Sequence, residues 1–358
     1  MFPEDFVRAN LQRHTKPSES VCDPFSGRGT TLLQALLMGR NAIATDINPV
    51  AYCISAAKAR VPRLKAVEQE LNLLEKRFHR SSRRKFAEER AGLPAFFRRA
   101  FHHTTLNQLL FLRSALRWRR NRTHCFITAL VLGSLHGEMD KSDSYFSNQM
   151  PRTISTKPVY SIKYWKRHRL WARKRDVFEI LGKRARFRLS TEVPSISGEV
   201  ALSDARKIGQ VFTNLKQEIK LVVTSPPYLN VTNYEEDQWL RLWFLGNAPW
   251  PTYRQISKDD RHQSNQQYWQ FLQEVWKGLK PLLTEDAILV CRLGAKDVKK
   301  LNLSRAFMKS IRAVFPRAEF LRPPVVSRIR NRQTDLFRPG TTGCLFEVDY
   351  SVAVGARN

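Results

Sequence analysis

The first sixty residues alternate between apolar runs and helical patterns. An apolar run ending at Asp23 is followed by a glycine-containing turn, the segment TTLLQALLMG, the run NAIATD and the segment NPVAYCISAAKA. Short apolar runs next to glycine predict buried strands, whereas apolar positions three and four residues apart predict helices. Residues 1–60 are therefore predicted to form a β-α-β unit preceded by a short amphipathic helix.

The pattern becomes largely helical after Pro62. Apolar side chains recur at the spacing of one helix face from Leu64 to Phe78, and further helical patterns cover residues 106–118 and 125–135. A polar, proline-marked stretch at residues 140–158 predicts a loop. We interpret residues 61–194 as a mainly helical insertion.

Strand and helix patterns alternate again from residue 195 to residue 358. The predicted strands have the sequences GEVALSD, IKLVVTS, DAILVCRL, AEFLRPPVV and CLFEVDYSVAV, and helices are predicted at residues 204–216, 237–244, 266–283 and 303–314. Together with the opening β-α-β unit, these segments predict an α/β fold with about seven strands in a mostly parallel sheet, interrupted by the insertion.

Net charge separates the insertion from the rest of the chain. The sequence has 61 Lys and Arg against 32 Asp and Glu, a formal net charge of +29. Between Arg60 and Arg188 lie 31 basic and 10 acidic side chains, so this segment carries 21 of the 29 charges. Charge of one sign in one segment favours contact with a nucleic acid. Solvated helix faces are the alternative, although such faces usually mix both signs.

Aromatic residues alternate with these cations in the last part of the insertion. Tyr160, Tyr164, Trp165 and Trp171 lie among lysines and arginines, a pattern typical of phosphate contact combined with base stacking. Each single ring is better explained as part of the core of the insertion, so the cations carry the argument for nucleic-acid contact.

The overall composition is that of a globular protein. Apolar residues make up 42% of the chain and aromatic residues 11%, and no apolar run is long enough to cross a bilayer. The chain starts with an amphipathic pattern rather than a secretory leader, and its five cysteines lack metal-binding spacing. We therefore expect a cytoplasmic protein with reduced, mostly buried thiols and no metal site.

The turn between Asp23 and Thr30 has the composition of a nucleotide-binding loop. Gly27 and Gly29 permit close approach of a ligand, to which the following helix would present free backbone N–H groups. Asp46, at the end of the next predicted strand, is placed to accept hydrogen bonds from ribose hydroxyls. The turn lacks the lysine of a phosphate loop and the third glycine of a dinucleotide fingerprint, which favours a non-phosphate adenosine ligand. A tight strand-to-helix connection is the alternative.

A second motif, Ser225-Pro226-Pro227-Tyr228, follows an apolar strand. Its two prolines donate no backbone hydrogen bonds and hold the chain extended. A substrate amino group can direct its two N–H bonds to the Ser225 hydroxyl and the Pro226 carbonyl, while Tyr228 stacks on the base that carries this group. A proline turn that merely ends a strand is the alternative.

Together these segments resemble a known family. DPFSGRGTT followed by TDINP, and TSPPY further on, are similar to the motifs DPFxGxGTT and [DNS]PP[YFW] of the DNA amino-methyltransferases. The resemblance covers roughly residues 1–60 and 195–300 and implies a Rossmann-like fold with S-adenosylmethionine as cofactor. It implies that Asp23, Phe25, Gly27 and Gly29 surround the methionine part of the cofactor, and that Asp46 binds its ribose.

The resemblance also assigns the remaining site residues. Asp204 would follow the third strand and bind the adenine amino group of the cofactor, although capping of the next helix explains this residue as well. The catalytic residues would be those of the motif, namely Ser225, Pro226, Pro227 and Tyr228.

The serine form of this motif, with a preceding threonine, is most often associated with methylation of cytosine at N4. We therefore expect direct in-line transfer of a methyl group to the exocyclic amine of a cytosine flipped out of duplex DNA. No cysteine follows a proline, as a cytosine C5 methyltransferase would require. The alternatives are adenine N6 methylation, methylation of an RNA or tRNA base, and a catalytically inactive nucleic-acid-binding protein.

The insertion has no motif that matches the family residue by residue. It occupies the place where some members have their target-recognition domain, so we assign it sequence-specific recognition of double-stranded DNA from its position and charge. A companion restriction endonuclease, the recognition sequence and the oligomeric state are left open by the sequence.

Overall fold

The computed structural model describes residues 3–138, 145–150, 157–229, 237–251, 264–295, 302–329 and 344–354. The chain forms two compact units. The first, here called the sheet unit, comprises residues 1–60, 194–232 and 256–358; the second, the helical unit, comprises residues 61–193 and 233–255. The described residues 237–251 thus group with the helical unit, whereas the sequence pattern placed them with the strands that follow the insertion.

Within the described residues, eight strands form one sheet in the order β3-β2-β1-β4-β5-β8-β6, and β7 also pairs with β8. Their bounds are β1 Ser20–Asp23, β2 Asn41–Asp46, β3 Glu199–Leu202, β4 Ile219–Thr224, β5 Leu283–Ala295, β6 Glu319–Phe320, β7 Val325–Arg328 and β8 Phe346–Ala353. The pairs from β3 to β5 are parallel, and β8 pairs antiparallel with β5, β6 and β7. The predicted α/β fold with a mostly parallel sheet is confirmed.

The α-helices are numbered in chain order, and short 3₁₀ turns are left unlabelled. Their bounds are α1 Glu4–His14, α2 Thr30–Leu37, α3 Pro49–Ala59, α4 Leu64–Arg80, α5 Arg83–Ala91, α6 Ala95–Ala100, α7 His103–Ala115, α8 Arg122–Ser134, α9 Pro158–Arg167, α10 Val177–Leu189, α11 Ile208–Val211, α12 Trp239–Phe244, α13 Asn265–Leu279 and α14 Leu303–Arg312. None of the helices described is long and apolar enough to span a membrane.

The core of the sheet unit lies on both faces of the sheet. On one face, α1 and α2 bury Val7, Leu11, Leu32 and Leu36 against the parallel strands. On the other face, α13 and α14 cover the strands with a larger cluster that includes the fully buried Trp276. Burial on both faces explains why the central strands read as continuous apolar runs.

Sequence signals at the helix ends match the structure of the sheet unit. The Asn48 side chain caps α3 by accepting a hydrogen bond from Val50 N, and Pro49 occupies the first turn, where its missing N–H has no cost. Ser264 caps α13 in the same way by accepting from Gln267 N. The β-α-β unit is therefore fixed by local sequence as well as by burial.

Two predicted segments are shorter than their patterns suggested. The predicted strand AEFLRPPVV is divided into β6 and β7 by Pro323 and Pro324, which cannot donate ladder hydrogen bonds. The predicted helix at residues 204–216 is divided into the 3₁₀ turns Ala205–Lys207 and Thr213–Leu215 and the single turn α11. The spacing of apolar residues along the sequence does not reveal where a strand or helix is interrupted.

The helical unit has its own aromatic core. Phe96, Phe97 and Trp165 are at most 2% exposed, and the ring centroids of Phe97 and Trp243 are 4.5 Å apart. Trp165 also donates from Nε1 to the main-chain oxygen of Gln149 at 2.8 Å. This ring belongs to the core of the unit, as the structural explanation of the single aromatics predicted.

Candidate active site

Parallel pairing brings the predicted site residues to one edge of the sheet. Asp23 ends β1, Asp46 ends β2 and Ser225 directly follows β4. Because β1 lies between β2 and β4, the carboxyl ends of all three strands meet at this edge. The two sequence motifs, separated by nearly two hundred residues, therefore lie on neighbouring strands.

The glycine turn is tied together by its own backbone. Gly27 and Gly29 have positive φ angles of 52° and 69°, which favour glycine. The N–H of Gly27 donates to Asp46 Oδ2 at 2.8 Å, and that of Gly29 donates to Ser26 O at 2.7 Å. These two N–H groups thus hold the shape of the turn, and the presentation of N–H groups by the following helix to a ligand stays a prediction.

Gly29 is also required by the packing of α2 against α3. A Cβ at this position would lie 2.9 Å from Ser55 Oγ and 3.2 Å from Ser55 Cα. The Ser55 hydroxyl in turn accepts from Ser26 Oγ at 2.5 Å. At Gly27, by contrast, a Cβ would meet only Phe25 O at 3.8 Å, so the space beside that residue is open.

Asp23 is almost fully buried beneath the turn. Its Oδ1 accepts from Thr224 Oγ1 at 2.7 Å and from the N–H of Phe25 at 3.1 Å. Burial raises the pKa of this carboxyl to about 6, because removal from water disfavours the charged form more than these hydrogen bonds favour it. A carboxyl with this pKa changes charge near neutral pH, and a cation beside it would favour ionisation.

Asp46 lies half-buried at the end of β2. Its Oδ2 accepts from Gly27 N at 2.8 Å and its Oδ1 from Asn48 N at 2.9 Å. A carboxylate has about four acceptor positions. The ribose-binding role that the resemblance implied for Asp46 stays a prediction.

Asp204 has the contacts of a helix cap. Its Oδ1 accepts from Arg206 N at 3.0 Å, and both carboxylate oxygens contact the Arg206 guanidinium. The same guanidinium donates to Glu274 Oε2 of α13 at 2.7 Å. The structure therefore shows the capping role weighed for Asp204, and its contact with the cofactor stays a prediction.

Phe25 and the prolines shape the walls of this edge. The half-buried Phe25 ring packs edge-on against Phe271 of α13, with 5.8 Å between the ring centroids. Pro226 is buried and Pro227 half-buried directly after β4. Both segments are thus held against the sheet rather than extending into solvent.

Ser225 is anchored to the neighbouring strand. Its Oγ donates to the main-chain oxygen of Arg292 on β5 at 3.1 Å and lies 3.5 Å from the Tyr228 hydroxyl. A serine oxygen whose single proton is directed to a carbonyl keeps its lone pairs for incoming donors. Ser225 is thus oriented as an acceptor, which is what an amine substrate requires.

Tyr228 rests on the sheet. Its hydroxyl donates to Glu347 Oε1 of β8 at 3.0 Å, and burial together with the Glu347 carboxylate raises its pKa. A Cβ at Gly294 would overlap the Tyr228 ring, so this glycine lets the ring lie close to β5. One side of the ring is therefore occupied by protein, and base stacking, which stays a prediction, would use the other side.

Several residues at this edge were not found from the sequence. Thr224 donates to Asp23, and Glu347 accepts from Tyr228. Arg292 contacts both Ser225 and Glu347. Thr224 stands inside the TSPPY string, but its partner is set by the pairing of β1 with β4, which no local pattern reveals. Phe6, which the sequence allowed as a cofactor-lining or packing residue, has its ring 4.3 Å from the Arg292 guanidinium; Phe2 lies outside the described residues.

The groups at this edge of the sheet fit an adenosine cofactor with a cationic centre. The open space beside Gly27, the acceptor at Asp46 and the buried carboxyl of Asp23 lie along the ends of β1 and β2. Among the described residues no group of His, Cys, Asp and Glu is arranged to hold a metal ion. The open space and the two carboxyl groups are suited to an organic cation with hydroxyl groups.

The helical unit exposes aromatic and cationic side chains. Tyr160 and Trp171 are 62% and 72% exposed, and the Arg99 guanidinium lies 3.8 Å from the centre of the Trp171 ring. Phe187 on α10 is also exposed. Of the aromatic residues noted in the sequence, two are thus available at the surface whereas Trp165 is not.

Comparisons with known proteins agree with the amino-terminal motif. Residues 1–57 match the family model N6_N4_Mtase, described as DNA methylase. Over 57 residues the chain is 40% identical to the Type II methyltransferase M.MjaII of Methanocaldococcus jannaschii; this stretch is 16% of the chain and 11% of that protein.

Solved structures with low sequence identity also resemble the chain. The rRNA methyltransferase aviRa from Streptomyces viridochromogenes is 12% identical, with a TM-score of 0.35 and coverage of 99% of this chain and 85% of that chain. TrmN from Thermus thermophilus is 12% identical, with a TM-score of 0.33 and coverage of 99% and 49%.

The family model and the curated relative support, over residues 1–57, the family predicted from the sequence motifs. Members of that family use S-adenosylmethionine as cofactor. Residues 1–57 are thus similar to the DNA amino-methyltransferases, and the described strands form a mostly parallel α/β sheet.

Proposed function

We propose that the protein is a DNA methyltransferase that transfers a methyl group from S-adenosylmethionine to the exocyclic N4 amine of cytosine. The observation that carries this proposal is the pairing of β1 with β4, which brings the cofactor turn and the TSPPY segment to one edge of the sheet. Cofactor and amine substrate would then meet at neighbouring strand ends.

The cofactor would be held by the first three strand ends. Asp46 would accept from its ribose hydroxyls, while Asp23, Phe25, Gly27 and Gly29 would surround its methionine part. Asp204 would accept from the adenine amino group, if a change in the Arg206 contact frees one of its oxygens. When bound, S-adenosylmethionine supplies a methyl group on a sulfonium, from which a neutral thioether leaves.

The TSPPY segment would bind and orient the amine. Ser225 Oγ, with its proton directed to Arg292 O, accepts one N–H of the substrate, and the Pro226 carbonyl accepts the other. Two such hydrogen bonds draw the nitrogen toward a tetrahedral geometry and make its lone pair available for attack. Tyr228 stacks on the base, and Pro227 keeps the segment extended.

The helical unit would supply the contacts to DNA. The segment that forms most of it carries 21 of the 29 net positive charges, and Tyr160 and Trp171 are exposed beside cations. Flipping a base out of the duplex costs about a few kcal/mol. Phosphate contacts of this kind would offset that cost. We also propose that this unit recognises the target sequence.

The proposal is tested by transfer of a labelled methyl group from S-adenosylmethionine to duplex DNA, with RNA as a parallel substrate. The wild type is expected to label DNA, and Ser225→Ala to bind the cofactor normally but to transfer about 10²-fold more slowly, as when a positioned hydrogen bond to a reacting group is lost. Ser327→Ala, on the exposed strand β7, is the control and should keep full activity.

Two results would contradict the proposal. Incorporation of the labelled methyl group into RNA but not into DNA would indicate an RNA base methyltransferase. Equal rates for Ser225→Ala and the wild type would remove Ser225 from the reaction and leave the proline segment as a strand end.

A further inference from the structure

A buried charged cluster lies directly behind the TSPPY segment. In the antiparallel pair of β5 and β8, Arg292 is opposite Asp349 and Gly294 is opposite Glu347. Residues two apart on a strand share one face, so these four positions lie together on the same side of the sheet. The Tyr228 ring covers Gly294 on this side.

The contacts within the cluster are close and directional. The Arg292 guanidinium donates from Nε and Nη2 to the two oxygens of Asp349 at 2.6 and 2.8 Å, and from Nη1 to Glu347 Oε2 at 3.2 Å. The Phe6 ring lies 4.3 Å from the guanidinium. Arg292 and Asp349 are each 8% exposed, so these charges are largely removed from water.

Stability alone gives a weak reason for such a cluster. Buried ion pairs often contribute little to folding, because the cost of removing charges from water offsets their attraction. Here two carboxylates face one guanidinium, so Glu347 needs a further donor. The Tyr228 hydroxyl is that donor, at 3.0 Å from Glu347 Oε1.

The cluster contacts two of the three hydroxyl groups of the TSPPY segment, those of Ser225 and Tyr228. Arg292 accepts from Ser225 Oγ through its main-chain oxygen at 3.1 Å, and Glu347 accepts from Tyr228. The first contact directs the Ser225 proton away from the substrate side, which leaves lone pairs to accept an amine N–H. The second contact fixes the ring of Tyr228 by its far end.

We propose that Glu347, held in place by Arg292 and Asp349, is a positioning residue of methyl transfer that acts through the Tyr228 hydroxyl. This inference rests on the proposed function and extends it to β8, where no site residue was predicted. Removal of the Glu347 carboxylate frees the Tyr228 ring to leave its orientation for the base, and this slows the transfer step without removing any group that contacts the cofactor.

A double-mutant cycle with methyl transfer to DNA tests this role. Glu347→Ala is expected to lower kcat by about 10- to 100-fold, the usual loss when a supporting partner of a site residue is removed. The dissociation constant of this variant for S-adenosylmethionine, measured by calorimetry, should stay within about twofold of the wild-type value. The reason is that the substitution removes no group that contacts the cofactor.

The second variant is Tyr228→Phe, which removes the hydroxyl but keeps the ring. Because Glu347 acts through that hydroxyl, the double variant should be no slower than the slower single variant. Glu347→Leu keeps roughly the size of the side chain, cannot accept from Tyr228 and serves if Glu347→Ala does not fold. Asp286→Asn is the matched control, because this carboxylate, paired with Lys220 at the other end of β5, should leave kcat unchanged.

The outcomes separate this inference from the proposed function. If the wild type is active, and Glu347→Ala or Glu347→Leu slows transfer equally with and without the Tyr228 hydroxyl, the inference alone is overturned. The same holds if these variants leave kcat unchanged or weaken cofactor binding as much as they slow transfer. A wild type that binds the cofactor but transfers no methyl group to DNA overturns both.

Discussion

The hydroxyl of Thr224 donates a hydrogen bond to the carboxylate of Asp23, with 2.7 Å between Oγ1 and Oδ1. The two residues are 201 positions apart in sequence. Each lies at the last position of its strand, on β1 and β4, so the bond joins the cofactor turn directly to the TSPPY segment. It holds together the two halves of the candidate site.

We expect this bond to contribute measurably to stability. Thr224→Val removes the hydroxyl, keeps the shape and leaves a buried carboxyl with one donor fewer, so the free energy of unfolding should fall by about 1–3 kcal/mol. Thr224→Ser keeps the hydroxyl and is the control. Chemical denaturation of both variants gives the comparison, and equal stability of Val and Ser variants would contradict a structural role for the bond.

Asp23 should make cofactor binding depend on pH. Its pKa of about 6 is raised above the ordinary value, so its contribution to folding stability is full below about pH 4 and is lost as the pH rises through 6. A cationic sulfonium favours the ionised form, so affinity for S-adenosylmethionine should weaken below pH 6 by up to about tenfold per pH unit. Calorimetric titrations between pH 5 and 8, roughly the range around this pKa, measure the effect.

The matched variant for this effect is Asp23→Asn. It keeps the shape of the side chain and cannot ionise, so its cofactor affinity should be weaker at neutral pH and flat across the same range. A wild-type affinity that does not change with pH, or an Asn variant with the same slope as the wild type, would show that Asp23 is not the titrating group.

The two glycines of the turn should respond differently to substitution. Gly27→Ala adds a Cβ into open space at positive φ and should cost about 1–2 kcal/mol of unfolding free energy. Gly29→Ala adds the same backbone strain and an overlap with Ser55, for a further ~1–3 kcal/mol. Thermal and denaturant unfolding would measure both. A smaller loss for Gly29→Ala than for Gly27→Ala would contradict the close packing of Gly29 against Ser55.

Local patterns were sufficient for much of the fold. The apolar spacing from Leu64 to Phe78 predicted α4, and the alternation around Asp23 and Asp46 predicted β1, α2 and β2. The motifs at Gly27 and Ser225 also predicted functional roles for two strand ends that the structure brings to one edge of the sheet. Such features depend on neighbours within a few residues, and periodicity and turn composition report them directly.

Contacts between distant segments could not be read in this way. The bond from Thr224 to Asp23 and the cluster at Arg292 depend on which strands pair and in which register, and the register of β5 with β8 places Glu347 opposite Gly294. The grouping of the described residues 237–251 with the helical unit is likewise a matter of packing. The internal hydrogen bonds of the glycine turn were not predicted, because a sequence does not show where each N–H points.

Cations of α9 should contribute to DNA binding. Replacement of the exposed Lys166 and Arg167 by Gln is expected to reduce the slope of log affinity against log salt by about two, since each phosphate contact contributes about 0.9. Arg84→Gln is the control, because Arg84 is exposed but paired with Glu88 at 2.9 Å. Fluorescence anisotropy over a series of salt concentrations measures both. Equal slopes for all proteins would place the DNA surface elsewhere.

DNA cytosine methylation is tested most directly by mass spectrometry of nucleosides from duplex DNA incubated with the protein and S-adenosylmethionine. N4-methylcytosine is expected in the wild-type reaction and should be lost with Ser225→Ala. N6-methyladenine would keep the fold and the mechanism but contradict the choice of base, and a wild type that yields no methylated nucleoside from DNA would contradict the assignment as a DNA methyltransferase.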